Sequence, residues 1–282
     1  MPTALIVFSF DPLVRFGDSV VSWETIGIAI SIFVALVLAG LIALRNGSRV
    51  DDLLFVVLGI VPGAVIGGRI GYLLLYPSFL GGDAGRLIDP GLGGMELTLA
   101  VVGGAITGTM TAAVLDGRPG RWLQIAALPV LAVLGLGKLA MVLGGSGQGQ
   151  ATTGDPATAY VGPGPWGSLG PAIPSIPSQA LEGIATLFLL VVMLVVLMLA
   201  GFRRRDGRAF FLALAGWSAT RFVIASTWRD PAVIGPLRAE QLIAIGVFAG
   251  SLILLGIVVT RRRPEDVPAA EPELPGVGSA SA

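Results

Sequence analysis

The hydrophobic pattern of the chain is a series of long apolar runs separated by polar connections. Seven runs are long enough to cross ~30 Å of hydrocarbon at about 1.5 Å per residue, so each predicts a membrane-spanning helix. No internal repeat is evident, and a transporter built from inverted repeats therefore has no support. The expected fold is an all-α integral membrane protein with seven transmembrane helices. The runs are Ile26–Leu44, Leu53–Tyr76, Leu97–Leu115, Trp122–Leu143, Gln179–Ala200, Ala209–Thr227 and Leu242–Thr260.

Three segments fall outside the apolar runs. The N-terminal residues lack a basic region before an apolar core, so they predict a short amphipathic lead-in and not a cleavable signal peptide. Gly144–Ser178 is rich in Gly, Pro, Ser and Thr, and its length predicts a small folded head or lid. Pro264–Ala282 is a Pro-, Ala- and acid-rich tail that we expect to be disordered, leaving residues 1–263 as the membrane domain.

Composition supports the membrane class and excludes several kinds of chemistry. The 282 residues are 54% hydrophobic and 13% charged, with a mean hydropathy of +0.85. The formal net charge is zero, so no global field favours a nucleic-acid partner. Cysteine and histidine are both absent, which excludes a disulfide framework, a thiol nucleophile, a His-based triad and the usual zinc sites. We expect neither a metal nor a cofactor.

Basic residues are distributed unequally between the two sides of the membrane. One side carries eleven arginines: Arg45, Arg49, Arg118, Arg121, Arg203, Arg204, Arg205, Arg208, Arg261, Arg262 and Arg263. The other side carries four: Arg15, Arg86, Arg229 and Arg238. The richer side is expected to be cytoplasmic, which predicts an N-terminus outside and a C-terminus inside. The Gly144–Ser178 head would then be extracytoplasmic.

Three cations lie within the apolar runs: Arg69, Arg221 and Lys138, the last being the only lysine of the chain. An ionisable residue inside a membrane is costly and is by default a candidate functional site. All three are predicted in the middle-to-outer part of the membrane, with few acids at matching depth. This excess of positive charge favours an anion, and a phospholipid phosphate is the most available one.

Simpler interpretations exist for the same residues. The cations could pair internally with Glu96, Glu182 or Glu24, or extend their charged ends to the interface. The closely spaced glycines after Gly67 and Gly103 are typical of helix packing. Four aromatic residues could belong to the belts at the membrane interfaces and not to a site: Tyr72, Tyr76, Trp217 and Trp228.

Six motifs in order resemble the phosphatidylglycerol–prolipoprotein diacylglyceryl transferase family over roughly Val21 to Arg261. The resemblance implies transfer of a diacylglyceryl group from phosphatidylglycerol to the lipobox cysteine in the signal peptide of a lipoprotein precursor, within a bacterial plasma membrane. Membrane lipids would be its surroundings and substrates. The motifs are GGRIGYLLLY (67–76), GGMELTLAVVGG (93–104), GLGKLAMVLGGSGQG (135–149), PSQALEG (177–183), GWSATRF (216–222) and EQL (240–242).

The resemblance also implies roles for individual residues. The family's arginine-glycine-asparagine signature falls on Lys138, Ala140 and Met141, and its second essential arginine matches Arg221. The arginine before its paired glycine-tyrosine matches Arg69. Lys138, Arg221 and Glu182 are expected to be catalytic. The expected substrate-binding residues are Arg69, Tyr72, Thr98, Ser178 and Gln179.

The chain departs from the family pattern mainly at groups that would handle protons. Thr98 stands where the family usually has histidine, Ser146 replaces an acidic residue, and Glu24 replaces a tyrosine. Because a thiol has a pKa near 8.5, it needs a base or a nearby cation to react. Lys138 and Arg221 could supply the positive charge, and either Glu182 or Glu24 could accept the proton.

Three hypotheses follow. The first is a divergent transferase that works by electrostatic stabilisation with a carboxylate base. The second is a non-catalytic paralogue that binds an anionic lipid or a lipoprotein precursor. The third is a small-molecule permease, which is disfavoured because the charges cluster outward instead of tracing a path.

Overall fold

Among the residues that the structure describes, seven helices are long and apolar enough to cross a membrane, which confirms the seven predicted spans. The computed structural model describes residues 4–80, 85, 89, 93–199 and 206–260. The predicted tail, Pro264–Ala282, lies outside the described residues. The helices are α1 (Trp23–Arg45), α2 (Val50–Leu75), α3 (Leu97–Asp116), α4 (Pro119–Val142), α5 (Ser178–Leu199), α6 (Arg208–Ala225) and α7 (Ala239–Thr260).

Local capping explains where several helices begin and end. The Ser22 hydroxyl accepts a hydrogen bond from the Thr25 amide (3.0 Å), so α1 starts three residues before the predicted run. Pro119 opens α4, a position where its missing N–H is not needed. Gly117 ends α3 in the left-handed conformation, with φ of 65°.

The helices form a bundle in which α4 packs against α1, α5 and α6, while α6 also packs against α7. The core of the bundle lies where α4, α5 and α6 meet. On the other side, α2 and α3 cross closely because glycines face each other there. A Cβ atom at Gly67 would overlap the Leu99 carbonyl oxygen, and one at Gly63 would overlap that of Gly103.

The prediction of an all-α chain is wrong outside the spans, where six short strands form among the described residues. The expected amphipathic lead-in consists of β1 (Leu5–Phe8), β2 (Leu13–Phe16) and β3 (Ser19–Ser22). Strand β4 (Ala157–Tyr160) lies in the connection between α4 and α5 and pairs in parallel with β1. Antiparallel hairpins join β2 to β3, and β5 (Ala232–Ile234) to β6 (Leu237–Arg238). The N-terminal residues and residues 144–177 therefore share one small sheet.

The close crossing of α2 and α3 gives a matched pair of substitutions. We expect Gly67→Ala to lower the thermal unfolding temperature in detergent, because the new methyl group displaces the α3 backbone at a cost of about 1–3 kcal/mol. Gly246→Ala in α7 is the control, since nothing lies within 4 Å of the position that its added methyl group would take. Equal unfolding temperatures for the two variants would contradict this account of the crossing.

Candidate active site

The centre of the candidate site is the guanidinium of Arg221, which is 2% exposed and is bound by four side chains from three other helices or their caps. Its Nη1 donates to Glu182 Oε1 (2.6 Å), and its Nε donates to Thr98 Oγ1 (2.7 Å). Its Nη2 donates to two carboxylates, Glu240 Oε2 at 2.8 Å and Glu96 Oε1 at 3.3 Å. Four N–H groups of the five in a guanidinium are thus used within the protein.

Glu182 joins this network to Lys138. The second carboxylate oxygen of Glu182 lies 2.9 Å from Lys138 Nζ, while the first binds Arg221. Glu182 is completely buried, whereas 12% of the Lys138 side chain is exposed. Lys138 is therefore the more accessible of the two cations.

Two tryptophan rings cover the cations. The Trp228 ring lies 4.5 Å from Arg221 Cζ and 5.2 Å from Lys138 Nζ. Trp217, one helical turn before Arg221, places its ring at 5.5 Å from the same guanidinium. A cation over an aromatic face is attracted by the ring quadrupole. The interfacial-belt interpretation is therefore wrong for Trp217, which is 1% exposed, and Trp228 belongs to the site.

The start of α3 is built to present Glu96 and Thr98 to this network. Glu96 caps the helix, and its two oxygens accept from the backbone amides of Thr98 and Leu99, each at 2.6 Å. The positive end of the helix dipole favours a carboxylate at this position. The Glu96 amide donates to the Gly68 carbonyl (2.9 Å), which fixes α3 against α2.

The prediction of few acids near the cations is wrong for Lys138 and Arg221. Three carboxylates, from Glu96, Glu182 and Glu240, face these two cations, so internal pairing is what the structure contains. Such pairing offsets the large cost of burying charge. Any anion that enters the site must compete with a carboxylate for Arg221.

Arg69 and Tyr72 lie on α2, beside the segment that leads into α3. Arg69 is 9% exposed and donates to the carbonyls of Asp89 (2.7 Å) and Gly94 (3.4 Å). The Tyr72 ring contacts those of Tyr76 (4.8 Å) and Phe79 (5.1 Å). These contacts place both predicted residues near the C-terminal end of α2, next to the residues that precede Glu96.

Ser178 and Gln179 form the first turn of α5. The Ser178 hydroxyl is 2.6 Å from that of Thr227, immediately before Trp228. The Gln179 side chain is 1% exposed, and its amide faces the hydroxyl of Tyr160. Gln179 precedes Glu182 by three residues and so lies on the same face of α5. Its buried amide therefore lies between Glu182 and Tyr160.

Two tyrosines and Glu24 near the site each have a defined hydrogen-bond partner. Burial raises the pKa of Tyr76 to about 12, so its hydroxyl stays protonated and donates to Asp230 (2.8 Å). Burial also raises the pKa of Tyr160, whose hydroxyl donates to the Val142 carbonyl (2.7 Å). Glu24 accepts from the Ser146 hydroxyl at 2.7 Å, in the loop that follows α4.

With this geometry established, comparison with known proteins identifies the family. A family model described as "Prolipoprotein diacylglyceryl transferase" matches residues 12–257, which is well over half of the chain. The chain belongs to this family.

Several relatives in the same family cover most of the chain, and each is named phosphatidylglycerol–prolipoprotein diacylglyceryl transferase. The Bacillus cereus (strain G9842) protein is 25% identical over 260 residues, covering 89% of this chain and 91% of the relative. The Geobacter sulfurreducens protein is 28% identical, covering 76% and 80% respectively. The Clostridioides difficile (strain 630) protein is 22% identical, covering 82% and 90%.

The sequence alone singled out Lys138, Arg221, Glu182 and Thr98, and the structure brings these four together. It did not place Glu240 or Trp228 in the site. Glu240 stands in the EQL motif, and an acid at the start of an apolar run was the available signal. Its partner, Arg221, could not be predicted because α6 and α7 come into contact only in the folded chain.

The network predicts unequal effects for two carboxylate substitutions. Glu182→Gln removes the partner shared by Lys138 and Arg221, and we expect it to lower the free energy of unfolding by about 3–5 kcal/mol. Glu240→Gln should cost about 1–2 kcal/mol, because Arg221 keeps Glu182 and Glu96. Equilibrium unfolding in mixed detergent micelles measures both values. Equal losses would mean that Glu182 does not connect the two cations.

Proposed function

We propose that this protein transfers a diacylglyceryl group from phosphatidylglycerol to the cysteine thiol of a lipoprotein precursor. Its family membership supports this activity. The observation that carries the proposal is the buried network in which Glu182 joins Lys138 to Arg221. Positive groups held in place within a low-dielectric site stabilise negative charge that develops on a phosphate.

The membrane arrangement is part of the same proposal. The protein is a multi-pass protein of a bacterial plasma membrane, with its N-terminus outside and its C-terminus in the cytoplasm. Residues 1–263 form the membrane domain, residues 144–178 belong to an extracytoplasmic head, and residues 264–282 form a cytoplasmic tail. The excess of arginine in the connections assigned to the cytoplasm supports this orientation. The network then lies toward the outer leaflet.

The reaction forms one bond and breaks one. The cysteine sulfur attacks the phosphate-bearing carbon of the diacylated glycerol, and a C–S bond forms as the C–O bond from that carbon to the phosphate oxygen breaks. The electron pair of that bond leaves with the phosphate oxygen of glycerol-1-phosphate. The thiol proton passes to a carboxylate, with Glu182 and Glu24 as the two candidates.

The geometry supports different roles for Lys138 and Arg221. Among the described residues, Lys138 has one carboxylate partner and a partly exposed side chain, so it is the cation that contacts the phosphate. Arg221 is enclosed by carboxylates and two rings, and it acts by holding Glu182 in position. In this proposal both cations also favour the thiolate form of the incoming cysteine.

The remaining predicted residues surround this centre as substrate-binding groups. Thr98 is hydrogen-bonded to Arg221, and Ser178 holds the residue before Trp228. Arg69 and Tyr72 border the outer end of α2, where the lipid head group and the signal peptide would enter. Gln179 offers a buried amide to the lipid head group.

A transfer assay tests the role of Lys138. Purified protein receives phosphatidylglycerol and a lipobox peptide, and the release of glycerol-1-phosphate is followed. We expect Lys138→Ala to lower kcat/KM by about 10²–10³-fold, the effect of losing one charge-stabilising donor, while Lys138→Arg retains most activity. Arg208→Ala is the control, because Arg208 pairs with Asp206 at the opposite end of the bundle. Lipid binding without transfer in the wild-type protein would favour a non-catalytic binding protein.

Gln179 gives a test that separates binding from folding. Gln179→Met keeps the length of the side chain and its packing, so the unfolding temperature should change little. The KM for phosphatidylglycerol should rise roughly three- to ten-fold because a hydrogen bond to the head group is lost. An unchanged KM would remove Gln179 from the lipid-binding residues.

A further inference from the structure

The N-terminal strand β1 has a backbone edge that faces away from β4. Within the described residues, β1 pairs only with β4. The Ala4 and Phe8 carbonyls accept from the β4 side, from Ala157 (3.2 Å) and Val161 (2.8 Å). Because backbone groups alternate along a strand, the amides and carbonyls of Leu5 and Val7 point outward.

The side chains of this edge strand are exposed although they are apolar. Leu5 is 38% exposed, Ile6 57% and Val7 50%, whereas all four residues of β4 are buried. An exposed apolar edge strand is a template for pairing with another chain, and proteins usually protect such edges. Leaving the apolar side chains of β1 exposed is therefore unfavourable, and a binding role would explain why they are exposed.

The sheet is connected directly to the helices of the candidate active site. On the far side of β4, Thr158 and Ser175 exchange backbone hydrogen bonds (2.9 and 3.0 Å), three residues before α5 begins. Tyr160 of β4 donates to Val142, which lies one helical turn beyond Lys138 on α4. A ligand on β1 is thus held at a fixed distance from the two site helices.

We propose that the outward edge of β1 binds the extended segment of the lipoprotein precursor that follows its acceptor cysteine, adding it to the sheet as a strand. This inference rests on the proposed transferase function. Val142 is roughly 6 Å along α4 from Lys138, and β1 lies about 5 Å beyond β4. A handful of extended residues, at about 3.3 Å each, covers such distances.

The chemistry of the edge favours a peptide over a lipid. Its outward groups are backbone donors and acceptors at two-residue spacing, which match another extended backbone and not an acyl chain. The segment from Ala4 to Phe10 carries no charge, so it does not select by charge. Backbone pairing supplies affinity without requiring particular side chains, so it would not restrict the peptide to one sequence.

Proline substitution on the outward edge tests this proposal. Val7→Pro removes an outward N–H and leaves the bonds to β4 in place, as does Leu5→Pro, whereas Val7→Ala trims the side chain and keeps the N–H. Two acceptor peptides are compared, one ending directly after the cysteine and one continuing for about ten extended residues. We expect both proline variants to raise the KM of the long peptide roughly three- to ten-fold and leave that of the short peptide unchanged. Val7→Ala should behave as wild type.

The outcomes separate this proposal from the transferase function. Transfer to the short peptide reports the function by itself, and a long peptide with serine in place of cysteine reports binding without transfer, by fluorescence anisotropy. Equal affinity of wild type, Val7→Pro and Leu5→Pro for the serine peptide would overturn the proposal. A concentration-dependent dimer that Val7→Pro dissociates would also overturn it, since the edge would then bind a second copy of this chain.

Discussion

The structure depends on one interaction, the burial of the Arg221 guanidinium within the apolar bundle. A charge taken out of water costs several kcal/mol unless partners replace its hydration. Here the replacement comes from Glu96 before α3, Glu182 on α5 and Glu240 on α7. Because each carboxylate belongs to a different helix, satisfying one cation fixes the relative positions of four helices. Lys138 extends the same constraint to α4.

The enclosure that stabilises Arg221 also limits what it can do chemically. Its edge is occupied by acceptors and its faces lie near Trp217 and Trp228, so little of the guanidinium is accessible to a substrate. Lys138 shares Glu182 and one ring but remains partly exposed. A fixed internal network with one accessible cation is a preorganised arrangement, and such arrangements need little reorganisation when charge develops. The candidate site of this family member thus contains more carboxylates than a pocket that only binds an anion would need.

The parts of the chain outside the spans pack around one end of the same site. The loop after α4 holds Glu24 through Ser146, and the start of α5 holds Thr227 through Ser178. Strand β4 links these regions through Tyr160 and pairs with β1 along one edge. Backbone pairing is the reason for the strands, since residues that leave a helix must satisfy their amides and carbonyls in another way. The resulting sheet joins the N-terminal residues to the two helices that carry Lys138 and Glu182.

The sequence alone determined the seven spans, because runs of about 20 apolar residues have one stable arrangement in hydrocarbon, and the motif order identified the family. It also singled out Lys138, Arg221 and Glu182, since charge in an apolar run is costly and therefore conspicuous. Only the tertiary structure decided which charges meet: Glu240 is 19 residues from Arg221 and Glu96 is 125 residues away. Hydrophobic periodicity records which residues are apolar but not which helices are neighbours. The strands escaped prediction for a related reason, because β1 is stabilised by a partner some 150 residues later in the chain.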